Sequence, residues 1–327
     1  MTLLGEFELI ARYFTRPVAR AALGVGDDCA LLAVAPGMSL AVSSDMLVEG
    51  RHFVSTVAPE RLGHKALAVN LSDLAACGAR PLAFTLSLAL PAADEAFLAP
   101  FAQGLLALAE RYDCELVGGD TTRGPLTIAI TVFGEIASGA ALLRSGARPG
   151  DDLYVSGTLG DARLALEVLR GRAAVPGEAF ARIRRAMEEP EPRVALGRAL
   201  VGIASSAIDV SDGLGGDLGH VLRRSGVAAV VEVDALPRSA DLAAQADALQ
   251  RECLLAGGDD YELVFTAPVG RRDAVAGAAR AASTAVTRIG RVEPGSGLRF
   301  VDAAGRDVKG PSTSFDHFRA ATGAPSP

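Results

Sequence analysis

Aspartates placed beside glycine or small polar residues recur at separate points along this chain. Four clusters carry them, at residues 24–28 (Gly-Val-Gly-Asp-Asp), 43–45 (Ser-Ser-Asp), 118–122 (Gly-Gly-Asp-Thr-Thr) and 209–213 (Asp-Val-Ser-Asp-Gly), and residues 70–73 and 257–260 extend the set. Mg²⁺ takes oxygen ligands and usually keeps waters and substrate phosphates in its shell, so its protein ligands are a few scattered carboxylates. If these aspartates converge, several cations must bind before a polyphosphate can approach. The pattern predicts a magnesium-dependent phosphoryl-transfer enzyme.

Several of these clusters also fit a plain structural role. Asp27 and Asp28 follow a glycine turn, which suits a solvated turn as well as a metal site. The Ser-Ser-Asp run at 43–45 ends an apolar strand and can also be a cap or a turn. Asp73 lies three residues after Asn70, hence on the same helical face and beside a leucine stripe, which favours a functional role.

Residues 118–125 (Gly-Gly-Asp-Thr-Thr-Arg-Gly-Pro) carry the strongest local signal. The segment follows the strand-like residues 115–117, and its two glycines let the backbone approach a phosphate closely. Asp120 can bind a metal and Arg123 can clamp phosphate oxygens. A β-turn without function is the alternative. Familiar nucleotide signatures are missing, since the chain has neither a G-x-x-x-x-G-K-[ST] loop nor a dinucleotide fingerprint, so phosphate must be held by metals, backbone amides and arginines.

Composition narrows the class of protein. Lys and Arg number 32 against 39 Asp and Glu, a net charge of −7 without basic runs, which argues against a nucleic-acid partner. No apolar stretch is long enough for a membrane span, and the first residues lack the basic start of a signal peptide. The four cysteines form no C-x-x-C pair, which is typical of reduced cytosolic thiols. We expect a cytoplasmic protein that binds neither nucleic acid nor membrane.

Strand-like and helix-like segments alternate along the chain, which predicts a mixed α/β fold. A length of 327 residues suits two domains better than a single core. The turn-rich segment 144–151 is the predicted boundary, giving domains 1–143 and 144–327. Strands are expected near 40–43, 83–90, 126–135, 152–156, 207–210, 228–233, 261–267 and 287–292, and helices near 60–77, 95–112, 161–169, 193–203, 214–224 and 271–282.

With these motifs in hand, the sequence resembles the thiamine-monophosphate kinases of the aminoimidazole-ribonucleotide-synthetase superfamily. The motifs that carry the resemblance are 24–28, 65–76 (Lys-Ala-Leu-Ala-Val-Asn-Leu-Ser-Asp-Leu-Ala-Ala), 118–126, 144–147 (Arg-Ser-Gly-Ala), 208–214 and 257–263 (Gly-Gly-Asp-Asp-Tyr-Glu-Leu), and the match runs over essentially the whole chain. The resemblance implies a two-domain fold, with an N-terminal sheet domain that dimerises and a C-terminal α/β domain.

The resemblance also implies direct transfer of the γ-phosphoryl group of ATP to thiamine monophosphate, giving thiamine diphosphate and ADP. The implied Mg²⁺ ligands are Asp28, Ser43, Ser44, Asp45, Asp73, Asp120, Asp209 and Asp212; the implied ATP contacts are Gly119, Asp120, Arg144 and Ser211; the implied substrate contacts are His52, Asp259 and Phe315. No general base is expected, because a phosphate acceptor is already ionised near neutral pH.

Three features depart from the family pattern. Ser44 stands where relatives often have Thr, and Asp259 stands where they often have the longer Glu. Arg51 lies beside His52 at a position where relatives vary, and it could add a phosphate contact. The alternative interpretations are a sister ATP-dependent enzyme of the same superfamily and a non-catalytic nucleotide- or metal-binding regulator. The set of aspartates argues against the regulator, because simple binding needs fewer ligands.

Overall fold

The computed structural model describes residues 5–25 and 29–310. The helices are α1 (Glu6–Leu9), α2 (Pro59–Cys77), α3 (Glu95–Arg111), α4 (Asp161–Leu169), α5 (Gly177–Glu188), α6 (Val194–Leu200), α7 (Leu214–Ser225), α8 (Ala240–Ala243), α9 (Asp247–Ala256) and α10 (Arg272–Ala281). The strands are β1 (Met38–Val48), β2 (Arg80–Leu90), β3 (Glu115–Arg123), β4 (Thr127–Ala137), β5 (Asp151–Ser156), β6 (Ser206–Asp209), β7 (Ala228–Glu232), β8 (Leu263–Pro268), β9 (Val286–Glu293), β10 (Gly297–Val301) and β11 (Asp307–Val308). The predicted mixed α/β class is confirmed. Within the described part of the chain, no helix is long and apolar enough to cross a membrane.

The N-terminal half forms a sheet in the order β1-β4-β2-β3. The pairs β1/β4 and β4/β2 are antiparallel, whereas β2 and β3 are parallel and are joined through α3. Because side chains alternate along a strand, one face buries Ile128 and Ile130 toward the helices. On the opposite face of β1, Leu40, Val42 and Met46 are 43 %, 56 % and 56 % exposed. Within the described residues, the β1 end of this face is therefore apolar and uncovered, whereas Ala21 packs with Ala83 and Val117 toward its other end, and no strand pairs with the outer edge of β1.

Helix α2 is the element that joins the two halves. It begins with Pro59 in its first turn and ends at Gly78, whose φ of 74° suits glycine and lets its N–H reach the carbonyl of Ala75. The helix packs against α3 and β1 on one side and against α6 and β6 on the other. A Cβ at Gly197 would lie 1.9 Å from the carbonyl oxygen of Ala75, so α6 meets α2 backbone to backbone.

The C-terminal half forms a second sheet in the order β11-β10-β7-β9-β5-β8-β6. Helices α4, α5, α7 and α9 cover one face around the core residues Leu164, Ile183 and Leu218. The other face, through Phe265, joins the apolar core around Leu67 and Leu71 of α2. The two halves therefore share a continuous hydrophobic core across their junction.

The structure extends or shifts several predicted elements. The segment 118–123, expected to follow a short strand, instead continues β3, with a register irregularity opposite residues 84 and 85. The strand expected from 261 begins only at Leu263, because Tyr261 has a φ of 52°. Helices α1, α5, α8 and α9 and strands β10 and β11 were not predicted. The division at residues 143 and 144 falls in the connection between β4 and β5 and stays a prediction.

Candidate active site

A cleft of about 550 Å³ lies where the two halves meet. Its walls include Ser43 from β1, Asp73 from α2, Arg144 from the connecting segment and Asp209 from β6. The sequence separates these residues by up to 166 positions, and the packing of α2 against both sheets brings them together. Four residues predicted to bind Mg²⁺ or ATP thus line one cavity.

The polar end of α2 contacts both halves through short hydrogen bonds. The Ser43 hydroxyl donates to Asp73 Oδ2 at 2.6 Å, and the Asp45 backbone N–H donates to Asn70 Oδ1 at 3.0 Å. On the other side, the Ser72 hydroxyl donates to Asp209 Oδ2 at 2.7 Å. Neighbouring residues of one helix therefore set the positions of carboxylates from β1, α2 and β6.

The carboxylates near this helix end raise one another's pKa values. Burial, and then the charges of Asp73 and Asp212, raise the pKa of Asp45 from 3.8 to about 6. Burial, and then the charge of Asp73, raise the pKa of Asp209 to about 8. Burial also raises the pKa of Asp73, against the hydrogen bond from Ser43. Like charges repel in this way when they face a common space, and a bound cation relieves the repulsion.

Asp212 and Ser211 follow β6 in a turn fixed by a residue that the sequence analysis missed. Asp217 Oδ2 accepts the backbone N–H groups of Ser211 at 3.1 Å and Asp212 at 3.0 Å. Asp217 is 4 % exposed, and burial raises its pKa to about 7. An acidic residue between leucines in the first turn of α7 was the available signal, since such positions often accept amides from the preceding loop.

Gly119 and Asp120 lie on β3, where the backbone comes unusually close to β2. Gly119 has a φ of 145°, and a Cβ there would lie 1.8 Å from the carbonyl oxygen of Leu86. No other residue type fits without moving a strand. Asp120 follows it with an exposed side chain. The glycine requirement is therefore structural, and it fixes the backbone that carries Asp120.

Strand register separates Asp120 from the carboxylates around α2. Asp45 pairs with Ile130 and through it aligns with Leu86 and Gly119, all on the helix-covered face. Asp120 aligns instead with Ser87 on the uncovered face, at the far edge of the sheet. Three interstrand spacings amount to about 14 Å. Ser44 also lies on the uncovered face, where its hydroxyl contacts Thr131 Oγ1 at 3.1 Å.

Of the remaining predicted residues, two do not line the cleft and two lie outside the described segments. His52 follows β1, and its Nδ1 accepts the Val48 backbone N–H at 3.0 Å. Asp259 carries a φ of 64° in the loop before β8, and its Oδ2 accepts a 2.6 Å hydrogen bond from Lys65 Nζ. Asp28 and Phe315 lie outside the described residues.

The donors in the cleft suit a hard divalent cation. Carboxylate and serine oxygens are the ligands that Mg²⁺ prefers. Between residues 5–25 and 29–310, however, no three His, Cys, Asp or Glu side chains are close enough to hold an ion by themselves. A cation in this cleft would therefore be completed by serine hydroxyls, waters or substrate phosphates. Arg144 supplies a positive charge that partly offsets the rise that burial causes in the pKa values of Asp73 and Asp217.

Comparisons with known proteins agree with this architecture. Residues 26–136 match the AIR synthase related protein N-terminal domain, and residues 148–303 match the C-terminal domain of the same proteins. The thiamine-monophosphate kinase of Salmonella typhimurium is 48 % identical over 322 residues, covering 96 % of this chain and 98 % of that protein.

Solved structures similar to this chain include thiamine-monophosphate kinases. The thiamine-monophosphate kinase of Stenotrophomonas maltophilia K279a superposes with a TM-score of 0.82 at 45 % identity, covering 89 % of this chain and 94 % of that one. AaThiL complexed with AMPPCP and TMP superposes with a TM-score of 0.76 at 32 % identity, covering 88 % and 89 %. The fold is that of the AIR synthase related proteins. Within that class, the chain belongs to the thiamine-monophosphate kinase family.

Proposed function

We propose that this chain transfers the γ-phosphoryl group of ATP directly to thiamine monophosphate, giving thiamine diphosphate and ADP. The observation that carries the proposal is the convergence of Asp45, Asp73 and Asp209 on the end of α2, in a family whose relatives are kinases. Several carboxylates that raise one another's pKa values have no evident role in stability and suit a site that gathers cations.

The proposed magnesium ligands are the residues expected from the sequence: Asp28, Ser43, Ser44, Asp45, Asp73, Asp120, Asp209 and Asp212. Bound Mg²⁺ would neutralise the charge of two phosphate-bearing substrates, which repel each other by about 4 kcal/mol per charge pair at 4 Å and an effective dielectric of 20. The side chains of the protein position the carboxylates that would bind these ions. Ser43 and Ser72 fix two carboxylates by hydrogen bonds, and Asp217 fixes the turn that carries Asp212.

We assign ATP to Gly119, Asp120, Arg144 and Ser211, and thiamine monophosphate to His52, Asp259 and Phe315. Arg144 supports this assignment because it lines the cleft beside Asp73 and Asp209. The acceptor phosphate is ionised near pH 7, since its second pKa is about 6, so the reaction needs no general base. A loose transition state makes positioning and charge neutralisation the main sources of catalysis.

A homodimer is part of the proposal. The free edge of β1 and the exposed Leu40, Val42 and Met46 on the same sheet are features that native proteins usually cover. Asp120 lies on the opposite face of the sheet from Asp45 and on the opposite edge strand, so the two carboxylates of one chain do not face a common site. We propose that a second copy, packed on this face, supplies Asp120 to the site.

Mixing two inactive variants tests the shared site. We expect Asp45→Asn and Asp120→Asn homodimers to be nearly inactive. If each site takes these residues from different chains, random exchange of the two variants restores about a quarter of the wild-type activity, because half the dimers then hold one intact site. Mixtures as inactive as their components would show that both residues act within one chain.

Steady-state turnover tests the activity itself. With ATP and Mg²⁺, thiamine monophosphate should be converted and unphosphorylated thiamine should not, because its hydroxyl needs a base that we do not assign. Chelation of Mg²⁺ should abolish turnover, and re-addition should restore it. Equal rates on both acceptors would contradict direct transfer to a phosphate. A sister activity or a non-catalytic regulator is not favoured, since relatives at 48 % and 44 % identity are thiamine-monophosphate kinases.

We further propose a cytoplasmic location without nucleic-acid or membrane partners, which the net charge of −7 supports. We also propose that the domains are 1–143 and 144–327, because residues 143 and 144 lie between the last strand of the first sheet and the first strand of the second.

A further inference from the structure

Lys65 is one of only two lysines in the chain and is almost completely buried. It lies in the first half of α2, 2 % exposed. Its Nζ donates to Asp259 Oδ2 at 2.6 Å and to the Met187 carbonyl oxygen at 2.9 Å. Burying an ammonium group is costly unless it is paired and hydrogen-bonded, so these two contacts stabilise Lys65 in its buried position. Both contacts join the N-terminal half to the C-terminal half.

The loop that carries Asp259 has a strained backbone that hydrogen bonds fix in place. Asp259 and Tyr261 have φ values of 64° and 52°, which side-chain-bearing residues seldom adopt. Their backbone N–H groups donate to the carbonyls of Ser211 at 2.7 Å and Val210 at 2.9 Å, immediately after β6. Strain of this kind persists where surrounding contacts fix it, and it clusters at functional sites.

The Asp259 side chain is still accessible. It is 33 % exposed, while the Lys65 side chain is 3 % exposed. Lys65 therefore approaches the carboxylate from the protein interior and occupies Oδ2, and the group retains a solvent-facing side.

We propose that Lys65 is a positioning residue that orients the Asp259 carboxylate toward the organic cation of the substrate. This inference rests on the proposed function and names the interaction that selects its acceptor. Thiamine monophosphate carries a cationic thiazolium ring and an aminopyrimidine, and a fixed carboxylate suits either group. Ordering the carboxylate before binding lowers the entropy lost when substrate binds. A purely structural role, as a clamp between α2 and the end of α5, is the competing account.

Two substitutions at Lys65 distinguish these roles. Lys65→Met removes the charge and both hydrogen bonds, whereas Lys65→Gln removes the charge and keeps a donor for the Met187 carbonyl. We expect each to raise the KM for thiamine monophosphate about tenfold, the size typical of losing one hydrogen bond to a charged group. The KM for ATP and kcat at saturation should stay within about twofold of wild type. Lys309→Met, at the exposed second lysine, is the matched control and should change neither KM.

A double variant tests whether Lys65 acts through Asp259. Lys65→Met combined with Asp259→Asn should have the same KM for thiamine monophosphate as Asp259→Asn alone, because the oriented group is already lost. Additive effects would overturn the proposal, as would an unchanged KM in both Lys65 variants or an equal rise in both KM values with a lower Tm. If Lys65→Met does not fold, Lys65→Gln decides the matter alone. Wild-type protein that fails to turn over thiamine monophosphate would instead reject the proposed function, and this inference with it.

Discussion

Replacing Gly119 by alanine should show how strongly the stability of the N-terminal sheet depends on a glycine in β3. Gly119 has a φ of 145°, and an added Cβ would lie 1.8 Å from Leu86 O and 2.6 Å from Leu86 C. Neither atom can move without displacing β2 from β3. The neighbouring Gly118 gives a matched control, since a Cβ there would lie 3.6 Å from Thr85 Cγ2, an ordinary contact.

The expected cost follows from these contacts. Forcing a side-chain-bearing residue into this conformation costs about 1–3 kcal/mol. Separating the strands breaks about two ladder hydrogen bonds, each contributing about 1 kcal/mol. The sum, about 3–5 kcal/mol, lowers Tm by roughly 10 °C for a domain of this size. Gly118→Ala should change the free energy of unfolding by less than about 0.5 kcal/mol.

Thermal melting of both variants, followed by circular dichroism without substrates, measures the difference. We expect a Tm well below wild type for Gly119→Ala and a Tm near wild type for Gly118→Ala. The KM for ATP should rise in Gly119→Ala, because Asp120 moves with the strand. Equal Tm values for the two variants would show that β3 accommodates a side chain at residue 119 and would refute the close-approach argument.

Two further predictions concern single side chains. The pKa of Asp209 is about 8 in the folded protein and about 3.8 in the unfolded chain. Between pH 3.8 and pH 8 the folded protein therefore binds more protons than the unfolded chain, so the free energy of unfolding of the metal-free protein falls as the pH rises through this range. Asp209→Asn should remove this pH dependence. With chelator present, the Tm of the variant minus the Tm of wild type should grow from pH 5 to pH 8. A difference that stays constant with pH would contradict this. Phe315→Ala should raise the KM for thiamine monophosphate and spare that for ATP if the ring stacks on the thiamine portion, with a loss of about one to two powers of ten in kcat/KM. A lower Tm with both KM values unchanged would assign Phe315 to anchoring the C-terminal segment.

Local sequence signals predicted much of the scaffold. The helix from Pro59 to Gly78 could be predicted because a proline and a glycine bracket a continuous apolar pattern. The clustering of Ser43, Asp73 and Asp209 followed from motif type together with family resemblance. Strand continuation through Gly118 and Gly119 could not be predicted, because glycine pairs ordinarily indicate turns, and here pairing with β2 overrides that preference.

The other features that could not be predicted depend on contacts between residues far apart in the sequence. Lys65 and Asp259 are 194 positions apart, and no local period connects an ammonium on α2 to a strained loop before β8. The opposite facing of Asp45 and Asp120 depends on strand register, which a one-residue shift would reverse. Asp217 was missed because its function is to accept amides from the residues before its own helix.

The central claim is direct transfer between two phosphates, and the fate of the γ-phosphoryl group tests it most directly. Wild-type protein would be incubated with ATP labelled at the γ-phosphorus, thiamine monophosphate and Mg²⁺, and the products separated. We predict that the label appears in the terminal phosphate of thiamine diphosphate, in equal amount to the ADP formed. Label released as inorganic phosphate, with thiamine monophosphate unchanged, would contradict the account.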